Sequence, residues 1–133
     1  MAAVRTILVG ILETGLVKDP SRFGSYPDMF KKLLNSNEDF LECTQLDFVV
    51  WPVINGTFPG SVNDADVWLI TGSPFGVYED HPWIYRLIEF VKLIYNAQVH
   101  MIGICFGHQI IAQALGGKVE KSMNGWFVLF MFV

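Results

Sequence analysis

Apolar positions along the chain alternate between two periods. Residues 6–11, 44–50, 66–71 and 99–104 are short apolar runs of the length and composition that buried parallel strands carry. Between them the period lengthens to that of a helix. Over residues 26–34, Met29, Phe30, Leu33 and Leu34 share one face while Lys31 and Lys32 take the other. Ile84, Leu87, Ile88, Val91 and Ile94 recur at the spacing of a buried stripe, with Pro82 in the first turn and Asp80 or His81 as the cap before it, and the helix ends near Asn96. A further helix is predicted over 107–115, stopped by Gly116-Gly117. This alternation predicts an α/β fold, a mostly parallel sheet with flanking helices. The segment with Pro20 and Gly24, then Asn55-Gly56 and Pro59-Gly60, read as loops and turns, and residues 118–121 as the start of a fifth strand.

A chain of 133 residues holds one domain with its own core, and 52% hydrophobic residues against 17% charged ones lie far from the composition of disorder. The net charge of -4 supplies no concentration of Lys and Arg, which argues against nucleic acid and against an anionic membrane surface. No run reaches the roughly 18 to 20 apolar residues that a membrane-spanning helix needs. The apolar run 7–12 ends at Glu13 without a small-residue cleavage site, so it reads as a strand and not as a signal peptide. The two cysteines, Cys43 and Cys105, cannot build a disulfide framework, which predicts a reducing, cytoplasmic setting.

The chemistry concentrates in Gly103-Ile104-Cys105-Phe106-Gly107, where an apolar strand meets a helix through Gly-x-Cys-x-Gly. This is the pattern of a nucleophile elbow: the central side chain projects above the sheet from a strained turn, and glycines flank it because strand and helix approach too closely for Cβ atoms. A helix N-terminus also favours a thiolate over a thiol. Cys43 has no such context and reads as inert core. An acyl-transfer nucleophile needs donors for the oxyanion of its tetrahedral intermediate. The Phe106 amide is one source. The Gly72-Ser73 loop at the end of the third strand is another, because open α/β sheets gather their sites at that edge.

Gly103-Ile104-Cys105-Phe106-Gly107-His108-Gln109, with Gly116-Gly117 after it and Thr71-Gly72-Ser73-Pro74 before it, resembles the class I (triad) glutamine amidotransferases. The likeness is strongest to stand-alone GMP synthase-like glutamine amidotransferases and more distant to plant γ-glutamyl peptidases. It implies a flavodoxin-like three-layer fold, here incomplete, over residues 1–126. It implies glutamine or another γ-glutamyl small molecule as the substrate, hydrolysed through a cysteine thioester with release of ammonia. By position, Cys105 is then the nucleophile, the Phe106 amide and the Gly72-Ser73 loop form the oxyanion hole, and Gln109 contacts bound glutamine. In the family a histidine, and a glutamate two residues beyond it, complete the triad in a second half that this sequence does not contain. His108 is not that base by position; it, His81 as a helix cap and His100 at a strand start read as structural residues.

Residues 127–133 depart from the family pattern, within an uninterrupted apolar run that begins at Trp126. Two readings of that run stand open: a substitute strand over exposed core, or the product of a shifted reading frame or unspliced segment. No metal-ligand spacing and no Gly-x-x-x-x-Gly-Lys-Ser/Thr phosphate loop occurs, so no metal and no cofactor is expected. An unfinished sheet would expose an edge that invites self-association. Three functions follow as alternatives: a cysteine-dependent amidotransferase or γ-glutamyl hydrolase, a truncated product without catalysis, or a cysteine redox sensor. With the base missing, little activity is expected from the chain alone.

Overall fold

The computed structural model describes residues 3–123. Four strands, β1 (Arg5–Leu12), β2 (Thr44–Trp51), β3 (Val67–Ile70) and β4 (His100–Gly103), form one parallel sheet in the order β2-β1-β3-β4. The helices are α1 (Pro20–Phe23), α2 (Tyr26–Leu34), α3 (Glu38–Leu41), α4 (Pro82–Asn96) and α5 (Phe106–Ala114). The chain passes from β1 outward to β2, then returns to the other side of β1 for β3 and β4. The order therefore reverses between β1 and β3, which opens a crevice beyond their carboxyl ends.

Strand alternation divides the core between the two faces. Leu12, Trp68 and Ile70 face α4 and α5, where Ile84, Leu87, Val91, Ile94, Phe106 and Ile110 close over them. Val9, Ile11 and Leu69 face the other way, against Phe30 and Leu34 of α2. Gly10 sits beside Trp68 in register, and a Cβ there would stand 2.5 Å from the indole Cε3. The missing side chain is what admits a fully buried Trp68, whose Nε1 donates to the Val62 carbonyl.

The helix predicted over 26–34 has those bounds, with Ser25 and Asp28 in a reciprocal capping box. Its predicted face is narrower in fact: Leu33 is 63% exposed, because only Phe30 and Leu34, one turn apart, reach the sheet. In α4 the buried stripe contains Phe90 in place of the half-buried Ile88. His81 stands at the cap position of α4 without a capping side-chain bond, and Pro82 follows at the first turn. Residues 118–121 do not form the predicted fifth strand. The Val119 amide donates to Gln113 Oε1 and its side chain packs on the core, so this segment folds back on the end of α5 instead of joining the sheet. The short helix α1 replaces predicted loop, with Pro20 supplying the fixed φ that starts it, and α3 is a further short helix before β2. The apolar run from Trp126 lies outside the described residues.

Candidate active site

Cys105 stands where β4 ends and α5 begins, with φ 52° and ψ -106°. Positive φ is uncommon for a residue with a side chain and costs on the order of 1–3 kcal/mol, so the neighbours must hold it there. They do so on both sides. The Ile104 amide donates to the Ile70 carbonyl at 3.0 Å, and the Gly107 amide to Ile104 at 2.9 Å. A Cβ on Gly103 would lie 2.6 Å from the His108 nitrogen, and one on Gly107 would lie 2.9 Å from the Ile70 carbonyl carbon. Strand, turn and helix are thus in backbone contact, which only the two glycines permit. The Cys105 side chain is exposed, and the turn that carries it has the geometry expected of the Gly-x-Cys-x-Gly pattern.

The Gly72-Ser73 loop comes next to it. A Cβ on Gly72 would be 3.8 Å from the Cys105 Cβ and 4.0 Å from the Ile104 carbonyl, so glycine leaves the loop in van der Waals reach of the cysteine. The Phe106, Gly72 and Ser73 N–H groups make no hydrogen bond within the described residues. Gln109 is half-buried on α5, one turn from Cys105, and its own amide donates to the Cys105 carbonyl at 3.1 Å. Phe75, from the loop, packs on Trp83 at 5.8 Å between ring centres, and Trp83 packs on Phe106 at 5.6 Å. This aromatic chain ties the loop to the residue after the cysteine.

Among the described residues no histidine side chain hydrogen-bonds to Cys105. His81 lies edge-on to Phe75 at 4.9 Å and is 3.5 Å from Glu79 Oε1, whose other oxygen accepts from the Gly76 amide. It serves the turn that leads into α4. His100 begins β4, at the opposite end of that strand from Cys105, and His108 is half-buried on α5. Among the described residues no group of three His, Cys, Asp or Glu side chains could hold a metal ion.

Sequence reasoning missed the support beneath the loop. Thr14 and Thr71 are fully buried just beyond the ends of β1 and β3. The Thr14 hydroxyl lies 2.9 Å from the Thr71 carbonyl and 3.0 Å from the Gly72 carbonyl; the Thr71 hydroxyl lies 3.1 Å from the Gly72 carbonyl and accepts the Thr14 amide at 3.0 Å. A Cβ on Gly15 would stand 2.8 Å from Pro74 Cδ and 2.9 Å from Ser73 Cα, so the end of β1 lies directly against the loop. The available signal was that the same dipeptide follows both strands within two residues, Thr14-Gly15 and Thr71-Gly72. Glu13, the preceding residue, has its carboxyl raised above the ordinary 4.5, first by partial burial and then by the Asp28 charge.

A parallel sheet with helices on both faces, an order reversal at its centre and a cysteine on a strained strand–helix turn at its carboxyl edge define an α/β protein of the cysteine-elbow class. The sequence matches the family model of glutamine amidotransferase class-I over residues 28–126, and the chain belongs to that family. It is 33% identical to a glutamine amidotransferase-like protein of Schizosaccharomyces pombe, over 87% of this chain and 50% of that one. It is 40% identical to gamma-glutamyl peptidase 3 of Arabidopsis thaliana, over 55% of this chain and 30% of that one. Among solved structures, a glutamine amidotransferase from Thermotoga maritima superposes with a TM-score of 0.62 at 20% identity, over 88% of this chain and 47% of that one. One from Methylobacillus flagellatus gives 0.58 at 21% identity, over 91% and 43%. The chain thus spans half or less of the length of these relatives.

Proposed function

We propose that this chain carries the acylation half of a glutamine amidotransferase site, with Cys105 as the nucleophile toward the side-chain carbonyl of glutamine or another γ-glutamyl compound. The observation that carries the reading is the strained Cys105 turn, held between two glycines that cannot take a Cβ, with Gly72 in contact reach. Cys105 Sγ attacks the amide carbon, the carbonyl electron pair moves to oxygen, and the Phe106, Gly72 and Ser73 N–H groups stabilise the oxyanion. Expulsion of ammonia leaves a γ-glutamyl thioester that water hydrolyses, with Gln109 contacting the glutamyl portion. Departure of ammonia needs a proton, and turnover therefore needs a general acid and base beyond the three histidines described here.

A second reading shares every group but the leaving one. The likeness to Arabidopsis gamma-glutamyl peptidases supports a γ-glutamyl peptide as substrate, in which an α-amine and not ammonia would leave. The edge of β4, which pairs only with β3 among the described residues, supports self-association as a property of the chain.

The test is covalent labelling of Cys105 by a chloroketone analogue of glutamine, followed by mass spectrometry, with circular dichroism to confirm folding. Labelling faster than that of free cysteine, blocked by glutamine and lost in Cys105→Ala, is the expected outcome. Protection by γ-glutamyl dipeptides but not by glutamine would favour the peptidase reading. Labelling no faster than free cysteine would remove both.

A further inference from the structure

The crevice between β1 and β3 holds two buried hydroxyls that the proposed chemistry does not use. We propose that Thr14 and Thr71 are positioning residues that orient the Gly72 and Ser73 N–H groups as oxyanion donors; the inference rests on the reading of Cys105 as an acyl-transfer nucleophile.

A trans peptide is planar, with its C=O and N–H pointing in opposite directions. The Thr71 carbonyl is 2.9 Å from the Thr14 hydroxyl, and the Gly72 carbonyl is 3.0 and 3.1 Å from the Thr14 and Thr71 hydroxyls. Two hydroxyl protons thus serve two consecutive carbonyls. Both carbonyls are drawn toward the interior between the strands, where Thr14 and Thr71 are fully buried. The N–H of each of those peptides, on Gly72 and on Ser73, must then point the other way, out of the crevice. On the same loop, Gly72 lies in contact reach of Cys105.

The network cannot turn over without loss. The Thr14 amide donates to the Thr71 hydroxyl, whose own proton serves the Gly72 carbonyl; given instead to the Thr14 hydroxyl, 3.1 Å away, that proton would leave one of the two carbonyls without a hydroxyl donor. Gly15, packed against Ser73 and Pro74, leaves no room for the loop to rotate toward β1. Donors fixed in this way need no reorganisation when the oxyanion forms, which is the source of their effect on rate.

The test compares two reactions of one thiol, in a Cys43→Ser background so that Cys105 is the only cysteine. A γ-glutamyl 4-nitrophenyl ester acylates it: the S–C bond forms, the carbonyl pair moves to oxygen, and collapse expels 4-nitrophenolate with its bonding pair while the thiol proton passes to buffer. This leaving group departs without a protein acid. Iodoacetamide alkylates the same sulfur by displacing iodide at a saturated carbon, and no oxyanion forms. The readout is the ratio of the two rate constants, measured beside free cysteine.

The expected result is a ratio above that of free cysteine in the parent, lowered on the order of tenfold to a hundredfold in Thr14→Val and kept in Thr14→Ser, with alkylation unchanged. If Thr14→Val does not fold by circular dichroism, Thr71→Val, which removes the second donor to the Gly72 carbonyl, is read in its place. A parent ratio above free cysteine that survives in the valine variant overturns the proposal and leaves the Cys105 reading standing. An equal loss in Thr14→Ser also overturns it, because the hydroxyl is then not the device. A parent ratio no higher than free cysteine overturns both together.

Discussion

Cys105 holds its backbone in a region that costs free energy, and the cost is met by packing that tolerates no added atom at Gly103 or Gly107. Gly107→Ala pushes a methyl group against the Ile70 carbonyl and should destabilise the chain by about 1–3 kcal/mol, read as a lower urea midpoint at unchanged slope. The pH dependence of stability has a residue-level origin at Glu13 and Asp28. The Glu13 carboxyl is raised above 4.5 by burial and by Asp28, so the folded state binds its proton more tightly than the unfolded chain does. Stability from this group is present at pH below 4.5 and is lost as pH rises through the raised folded value. Glu13→Gln removes that loss, and its stability relative to the parent should rise across the same window. Asp28 acts in the opposite sense. Its carboxyl is lowered below 3.8, first by the Ser25 amide, so its contribution is present above 3.8 and is lost on acidification through the folded value.

At the scale of elements, α4 and α5 end in the same way with different residues. In α5 the Gly117 amide bonds to Ala112 and Gly116 takes φ 96°. In α4 the Val99 amide bonds to Ile94 and the residue in the left-handed position is Gln98, at φ 56°. Both are Schellman ends, and only one has the glycine that the conformation favours. Gln98→Gly should stabilise the chain by about 1 kcal/mol, measured by denaturant unfolding, because it relieves the left-handed strain without removing a bond. The same contrast explains what was legible at this scale. Gly116-Gly117 announces its helix end in the sequence. The end of α4 was placed by where the apolar stripe stops, since Gln98 gives no local sign of its conformation.

Across the whole molecule the two edges of the sheet differ. On β2, Gln45 and Asp47 are exposed and bond to each other, a polar edge of the kind that resists pairing. On β4, which pairs only with β3 among the described residues, Ile102 is 44% exposed and no side chain carries a fixed charge. Its partner in register, Leu69, is buried under α2, so the cover that α2 gives the centre of the sheet does not extend to β4. The proposed self-association would run through this edge, and Ile102→Lys should then shift sedimentation velocity profiles toward monomer while leaving the circular dichroism spectrum unchanged. An unchanged association state would place any contact elsewhere.

The sequence by itself determined the parallel α/β class, the positions of the four strands and three principal helices, and the cysteine turn. Each of these is written in short-range signals: runs of apolar residues, a 3.6-residue stripe, glycines flanking a cysteine. Tertiary structure alone decided the order β2-β1-β3-β4, the exposure of Leu33, the return of residues 118–121 onto α5 and the union of Thr14 with Thr71 across 57 positions. No local pattern reports such pairings, because a hydroxyl that ends one strand gains a partner only when the sheet sets two strand ends side by side. The physical division is between what a segment can bury on its own period and what it meets after packing.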